Sequence, residues 1–273
     1  MLLSVFSCGV RDFFGTGMQC MMELEICVDS AESAIAAQAG GAQRVELCSA
    51  LAEGGLTPSL GLMRAVRASV SIGVYVMIRP RGGDFFYSQE EFAIMLDDIA
   101  CAAEAGANGV VLGLLTVDGN VDVDRTRQLV EAAGTMEVTF HRAIDMARDL
   151  EASLEAVAST GATRILTSGG AQSAVLGSKR IAGLVRAAGN RIGVMVCGNV
   201  RPANLQQIAV ATGAREFHAA MRTAVASPVT YRNPKLHLGV PGSDEYARHV
   251  VVARDVRHLR QAIDAVSSEI STR

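Results

Sequence analysis

The chain contains no tryptophan, and aromatic residues make up only 4% of its 273 positions. Platforms on which bases or sugar rings stack are therefore poorly provided for. No Lys/Arg-rich run occurs, and 25 basic residues stand against 28 acidic ones for a formal net charge of -3. Binding driven by phosphate contacts needs the opposite balance, so no nucleic-acid partner is expected. No apolar run reaches the roughly 18 residues of a membrane helix, so no membrane partner is expected either. The six cysteines contain no CxxC pair and no secreted-type spacing, and a chain of this length has no need of a disulfide framework. Reduced thiols in the cytoplasm are the expectation. A GxGxxG turn after the first strand is missing as well, which counts against a doubly wound dinucleotide fold.

What is present is a repeat. Short apolar strands alternate with helices, beginning with a strand over 24–28 and an alanine-rich helix over 31–39 that Ser30 caps. Further strands are expected over 44–48, 74–78, 110–115, 138–141, 164–167, 192–197 and 216–219. Helices are expected after Thr57 and Pro58, from Ser88 to Glu104 with Glu91 completing a capping box, and over 123–133, 150–159, 179–188, 203–211 and 255–267. Gly41, Gly106, Gly161 and Gly213 recur just before strands, as helix-stopping turns of one repeated unit. Eight such units predict an α/β fold, a single (β/α)8 TIM barrel over 22–273. Residues 222–250 break the rhythm, with Pro228, Pro234 and Pro241 among several Gly and Ser. This segment between strand 8 and the last helix reads either as a lid or interface arm, or as a solvated excursion. Residues 1–21 lack the basic start and long apolar stretch of a secretory signal and are expected to form a poorly ordered extension.

Strand alternation assigns the lumen face. Leu24, Ile26 and Val28 share one face of the first strand, and Glu25 and Cys27 the other. Because the outer face of a barrel strand packs on helices, the polar set points inward. The same rule turns Arg44, Glu46 and Cys48 inward, then Tyr75, Met77 and Arg79, then Thr139 and His141, and finally Glu216 and His218. Barrel lumens are usually filled with branched apolar side chains. Here Glu25, Glu46, Arg79, His141 and His218 must form a network, because an unpaired buried charge costs several kcal/mol. That network is either structural or a reaction site, with Glu25 or Glu46 as general acid or base and His141 as a proton shuttle.

Cys27 and Cys48 occupy equivalent positions on neighbouring strands about 4.8 Å apart. Two thiolates suit a soft, low-coordinate ion such as Cu(I). The alternative is a pair of small apolar fillers. Cys197, at the end of the seventh strand, is a candidate third thiol; Cys101 reads as core, and Cys8 and Cys20 as uninvolved. The loop after strand three carries Arg79, Arg81 and Asp84, which read either as an anion-binding turn or as a rigid loop closed by an Arg81–Asp84 pair. Arg79, Arg81, Asp84 and His218 are thus candidates for holding a small phosphorylated or carboxylated metabolite.

The runs beginning at Glu25 (EICVDS), Arg44 (RVELCS), Glu53 (EGGLTPS), Ile78 (IRPRGGDF), Val117 (VDGNVD), Val138 (VTFHRA), Ile165 (ILTSG) and Tyr231 (YRN) together resemble the CutC copper-homeostasis family. The likeness runs from about Met22 to Tyr246. It implies a barrel, a homo-oligomer (dimer or tetramer) and a copper partner in the cytoplasm, with the nucleus as a second compartment. In animal members Cu(I) is associated with cysteines matching Cys27 and Cys48. The family usually has a glycine-rich turn after strand seven; here it reads Cys197-Gly198-Asn199, which puts a backbone phosphate cradle there in doubt.

Overall fold

A computed structural model describes residues 22–236, 238 and 244–271. Eight parallel strands close into a barrel in chain order: β1 (Glu23–Val28), β2 (Arg44–Leu47), β3 (Gly73–Met77), β4 (Gly109–Leu112), β5 (Glu137–Phe140), β6 (Arg164–Thr167), β7 (Gly193–Val196) and β8 (Glu216–Ala219). Pairing of Glu25 with Arg44 and of Glu25 with His218 along the strand register joins β1 to both neighbours and completes the cylinder. The expected (β/α)8 TIM barrel is the fold observed. The expected extension over 1–21 lies outside the described residues.

Helices α1 (Ala31–Ala39), α2 (Leu60–Ser69), α3 (Gln89–Glu104), α4 (Val123–Ala133), α5 (Leu150–Ala158), α6 (Ala174–Ala188), α7 (Pro202–Thr212) and α8 (Ala253–Ser271) cover the strands. Leu24, Ile26, Val45, Leu47, Val74 and Val76 belong to the main core between strands and helices, as the alternation requires. The Ser30 cap and the Ser88–Glu91 capping box form as expected. Three local expectations are corrected. Ser59, not Thr57, caps α2. Thr57 instead accepts a hydrogen bond from Arg79 N at 2.9 Å, tying the β2 loop to the end of β3. Helix α6 starts at Ala174 rather than 179, because Ser173 caps it and Gly177 lets its first turn press on the β6 loop. Cys101 is half-buried, not core.

Within 222–250, β9 (Arg222–Ala226) and β10 (Ala247–Val251) form an antiparallel ribbon, with Arg222 opposite Val251. The excursion therefore leaves β8 and returns to α8 as paired strands. Val229, Tyr231 and Leu238 stand exposed along it.

The floor of the barrel is ionic. Arg44 is buried and pairs with Glu216 at 2.6 Å, Glu25 at 3.0 Å and Glu23 at 3.1 Å. Arg164 pairs with Glu137 at 2.6 Å and Glu216 at 2.9 Å. The Tyr75 ring lies under both guanidinium groups, 5.1 Å from Arg44 and 5.5 Å from Arg164, and its hydroxyl donates to Glu137. These groups fit because strand β4 opens with Gly109, where any Cβ would run into the Tyr75 ring. Gly193, opening β7, leaves the space that Glu216 and Arg164 occupy.

Candidate functional site

Above this floor the lumen holds two small clusters: Cys27, Cys48, Tyr75, Met77 and Val111, and separately Leu166, Met195 and Cys197. The thiols of Cys27 and Cys48 lie 4.0 Å apart, as their positions on adjacent strands predict. Cys197 is buried in the other cluster and joins no metal-competent group among the described residues. Burial holds its thiol well above the ordinary range.

A continuous polar line climbs from the floor to these thiols. Glu25 offers one oxygen to Arg44 and the other to His218 Nδ1, at 2.7 Å. That contact directs His218 Nε2 toward Glu46, 3.9 Å away. Cys48 Sγ donates to Glu46 at 3.5 Å. Burial is the largest influence on Glu25 and opposes its charge, yet Arg44 and His218 outweigh it and its carboxyl is held below the usual range. Glu46 has no arginine beside it, so burial, aided by the Glu25 charge, raises it. Burial also opposes charge on His218, but the Glu46 and Glu25 carboxylates prevail and raise it. Cys48 is raised well above an ordinary thiol by its contact with Cys27 and by burial. The Cys48 contact lowers Cys27, but burial and Glu46 leave it raised as well.

His141 follows β5 at the same mouth. Its Nδ1 accepts from Ala143 N–H at 3.2 Å, which puts the ring proton on Nε2. Burial and the nearby Arg79 charge push it down to about 3, so the ring is neutral at physiological pH. The ring fits beside β4 because Gly113 carries no side chain; a Cβ there would come within 2.5 Å of Nδ1.

The loop arginines are held by contacts within the protein. Arg79 donates to the carbonyls of Glu53, Gly55 and Gly83 and lies over the Phe85 ring. Arg81 pairs with Asp84 at 3.0 Å and Glu91 at 2.6 Å, and also donates to the Phe86 carbonyl. The Arg81–Asp84 pair of the rigid-loop reading forms, while Arg79 Nε has no hydrogen-bond partner among the described residues.

Two residues at this mouth escaped the sequence reading. Arg142 and Asp145 sit in the short 3-10 turn after His141. The Asp145 carboxylate accepts from Thr167 Oγ1 at 2.5 Å, Ser168 N at 3.0 Å and Gly170 N at 2.9 Å. It thus fills, with the protein's own anion, the backbone nest after β6 in which a phosphate would sit. The signal available was the run His141-Arg-Ala-Ile-Asp directly after a strand end, where barrels place site residues.

Two cavities open at this end. The inner one, about 220 Å³, is lined by Cys27, Glu46, His141, Arg142, His218 and neighbours. The outer one, about 740 Å³, shares Gly54, Arg79, Phe85 and Arg142 with it and extends past Phe86, Val117 and Met146.

Comparisons with known proteins agree. Residues 22–223 match the CutC family. A family protein CutC of Chromobacterium violaceum is 52% identical over 241 residues, covering 88% of this chain and 98% of its own. The human protein named copper homeostasis protein cutC homolog is 46% identical, covering 86% and 87%. The solved CutC of Streptococcus agalactiae superposes with a TM-score of 0.69 at 36% identity, over 72% of this chain and 98% of its own.

Proposed function

The chain belongs to the CutC family, and on that premise we propose that it serves copper homeostasis by holding Cu(I) between the thiolates of Cys27 and Cys48. The observation that carries this reading is the pair of buried sulfurs 4.0 Å apart at the mouth of the barrel. Two metal–sulfur bonds of about 2.3 Å span up to about 4.6 Å, so one ion bridges the two sulfurs without moving the strands. Copper here is cargo. Each thiol must lose its proton before it ligates, and Glu46, already accepting from Cys48, is the acceptor at hand. Competition titration of the reduced protein with a Cu(I) chelator tests this. Cys27→Ser and Cys48→Ser each remove half of the ligand set and are expected to weaken binding at least about a hundredfold. Unchanged affinity in the double variant overturns the site.

A second reading is favoured by the Glu25–His218–Glu46 line and by the cavity it faces. In it the chain acts on a small anionic metabolite, with His218 and Glu46 moving the proton, Glu25 orienting His218, and neutral His141 donating a hydrogen bond rather than shuttling. Assembly into a dimer or tetramer, which family membership also suggests, would cover the exposed Tyr231 and Leu238.

A further inference from the structure

Three residues lining the inner cavity carry a buried polar atom with no hydrogen-bond partner among the described residues: His141 Nε2, Arg79 Nε and Glu46 Oε1. Folded proteins leave few such atoms without a partner, and those that remain mark places where something else binds. His141 cannot turn to satisfy Nε2. Its other nitrogen is held by Ala143 N–H, and its ring is fixed against Phe85, 5.0 Å centroid to centroid. Nε2–H is therefore a fixed, uncommitted donor.

The next residue supplies a second. Arg142 donates from Nε to Asp145 at 2.8 Å and from Nη2 to Ser168 Oγ at 2.7 Å, so its guanidinium is anchored. Its Nη1 has no partner among the described residues, and the side chain lines both cavities. We infer that the barrel mouth carries a carboxylate subsite, in which Arg142 Nη1 and His141 Nε2–H each take one oxygen of a small organic acid. Two donors from two fixed groups match the two oxygens of a carboxylate. Phosphate is disfavoured because the backbone nest that would cradle it is filled by Asp145. The outer cavity, with Phe86, Val117 and Met146 on its walls, accepts an apolar tail.

The inference rests on the acid–base reading only for the direction of the ligand's reacting carbon, toward Glu46 and His218. Binding stands apart from turnover and from copper. The test uses the full chain and an unreactive probe, phenylacetate, followed by calorimetry, with phenylacetamide and inorganic phosphate as controls. Phenylacetate is expected to bind in the millimolar range, and phenylacetamide about tenfold or more weaker. Phosphate is expected not to compete. Arg142→Gln is expected to weaken phenylacetate roughly 10- to 100-fold, with Arg142→Lys recovering part of the loss. Gly113→Ala, whose Cβ would meet the His141 ring at 2.5 Å and Ala143 at 3.0 Å, is expected to weaken it as well; thermal unfolding verifies that both variants fold. Equal affinity for the amide, no effect of Arg142→Gln, or a phenylacetate affinity weaker than about 10 mM overturns the subsite. The acid–base reading fails separately if Glu46→Gln leaves the solvent hydrogen exchange of bound phenylpyruvate unchanged.

Discussion

Replacing Arg44 with methionine removes the cation that lets Glu25 stay charged inside the barrel. Glu25 is 1% exposed, and the cations left to it would be His218 in direct contact and Arg164 at longer range. Glu216 keeps Arg164 and Glu23 is half-exposed, so the cost falls mainly on Glu25. Removing one partner of a buried pair costs about 3–5 kcal/mol. At roughly 2–4 °C per kcal/mol for a domain of this size, Arg44→Met should lower Tm by roughly 6–20 °C. The pH dependence has a defined sign. In the parent, the Glu25 carboxyl lies below its unfolded value, so its contribution is present above the unfolded pKa and disappears as pH falls through the folded one. In Arg44→Met burial prevails and the carboxyl rises; the variant recovers by taking up a proton, and its deficit narrows as the buffer is acidified. Glu25→Gln in the same background removes the stranded charge and should restore part of the loss. Thermal and urea unfolding of the parent, both single variants and the double variant form the assay. A Tm drop under about 2 °C for Arg44→Met, or a double variant no more stable than Arg44→Met, refutes the reasoning.

Cu(I) affinity should fall steeply as pH is lowered, approaching about a hundredfold per unit while both raised thiols stay protonated in the free protein; a chelator titration at several pH values that shows no dependence contradicts two-thiolate binding. Asp145→Ala empties the nest after β6, which should cost about 1–3 kcal/mol and leave a site that inorganic phosphate or sulfate fills; thermal unfolding should show those anions stabilising the variant more than the parent. Tyr231→Asp with Leu238→Asp should shift the protein toward monomer in sedimentation equilibrium, and an unshifted assembly removes the 222–250 arm as its interface.

The fold was legible because the outward faces of the barrel strands are apolar except for Thr167 at the end of β6, and that fixes the inward set. Glu25 beside Cys27 and Glu46 beside Cys48 could be placed on the lumen from period-2 alternation, and the structure puts both pairs there. The boundaries were less legible. Thr57 and Ser59 are both competent caps, and only the hydrogen bond that β3 gives to Thr57 decides between them. The partners of the charges were legible only where they are close in the chain, as for Arg81 and Asp84. Arg81 and Arg142 look alike as loop arginines, but Arg81 is closed off by Asp84 and Glu91, whereas Arg142 keeps one nitrogen free. Side-chain direction in a loop depends on contacts distant in sequence, such as Arg142 with Ser168.

The ionic floor has a consequence for traffic. With Arg44, Arg164 and Tyr75 locked across the base, the lumen is a vessel with one doorway. On the proposed copper role, cargo leaves by the route it came, so a donor and a recipient take turns at the same opening, and exchange proceeds by successive visits instead of flow from one end to the other.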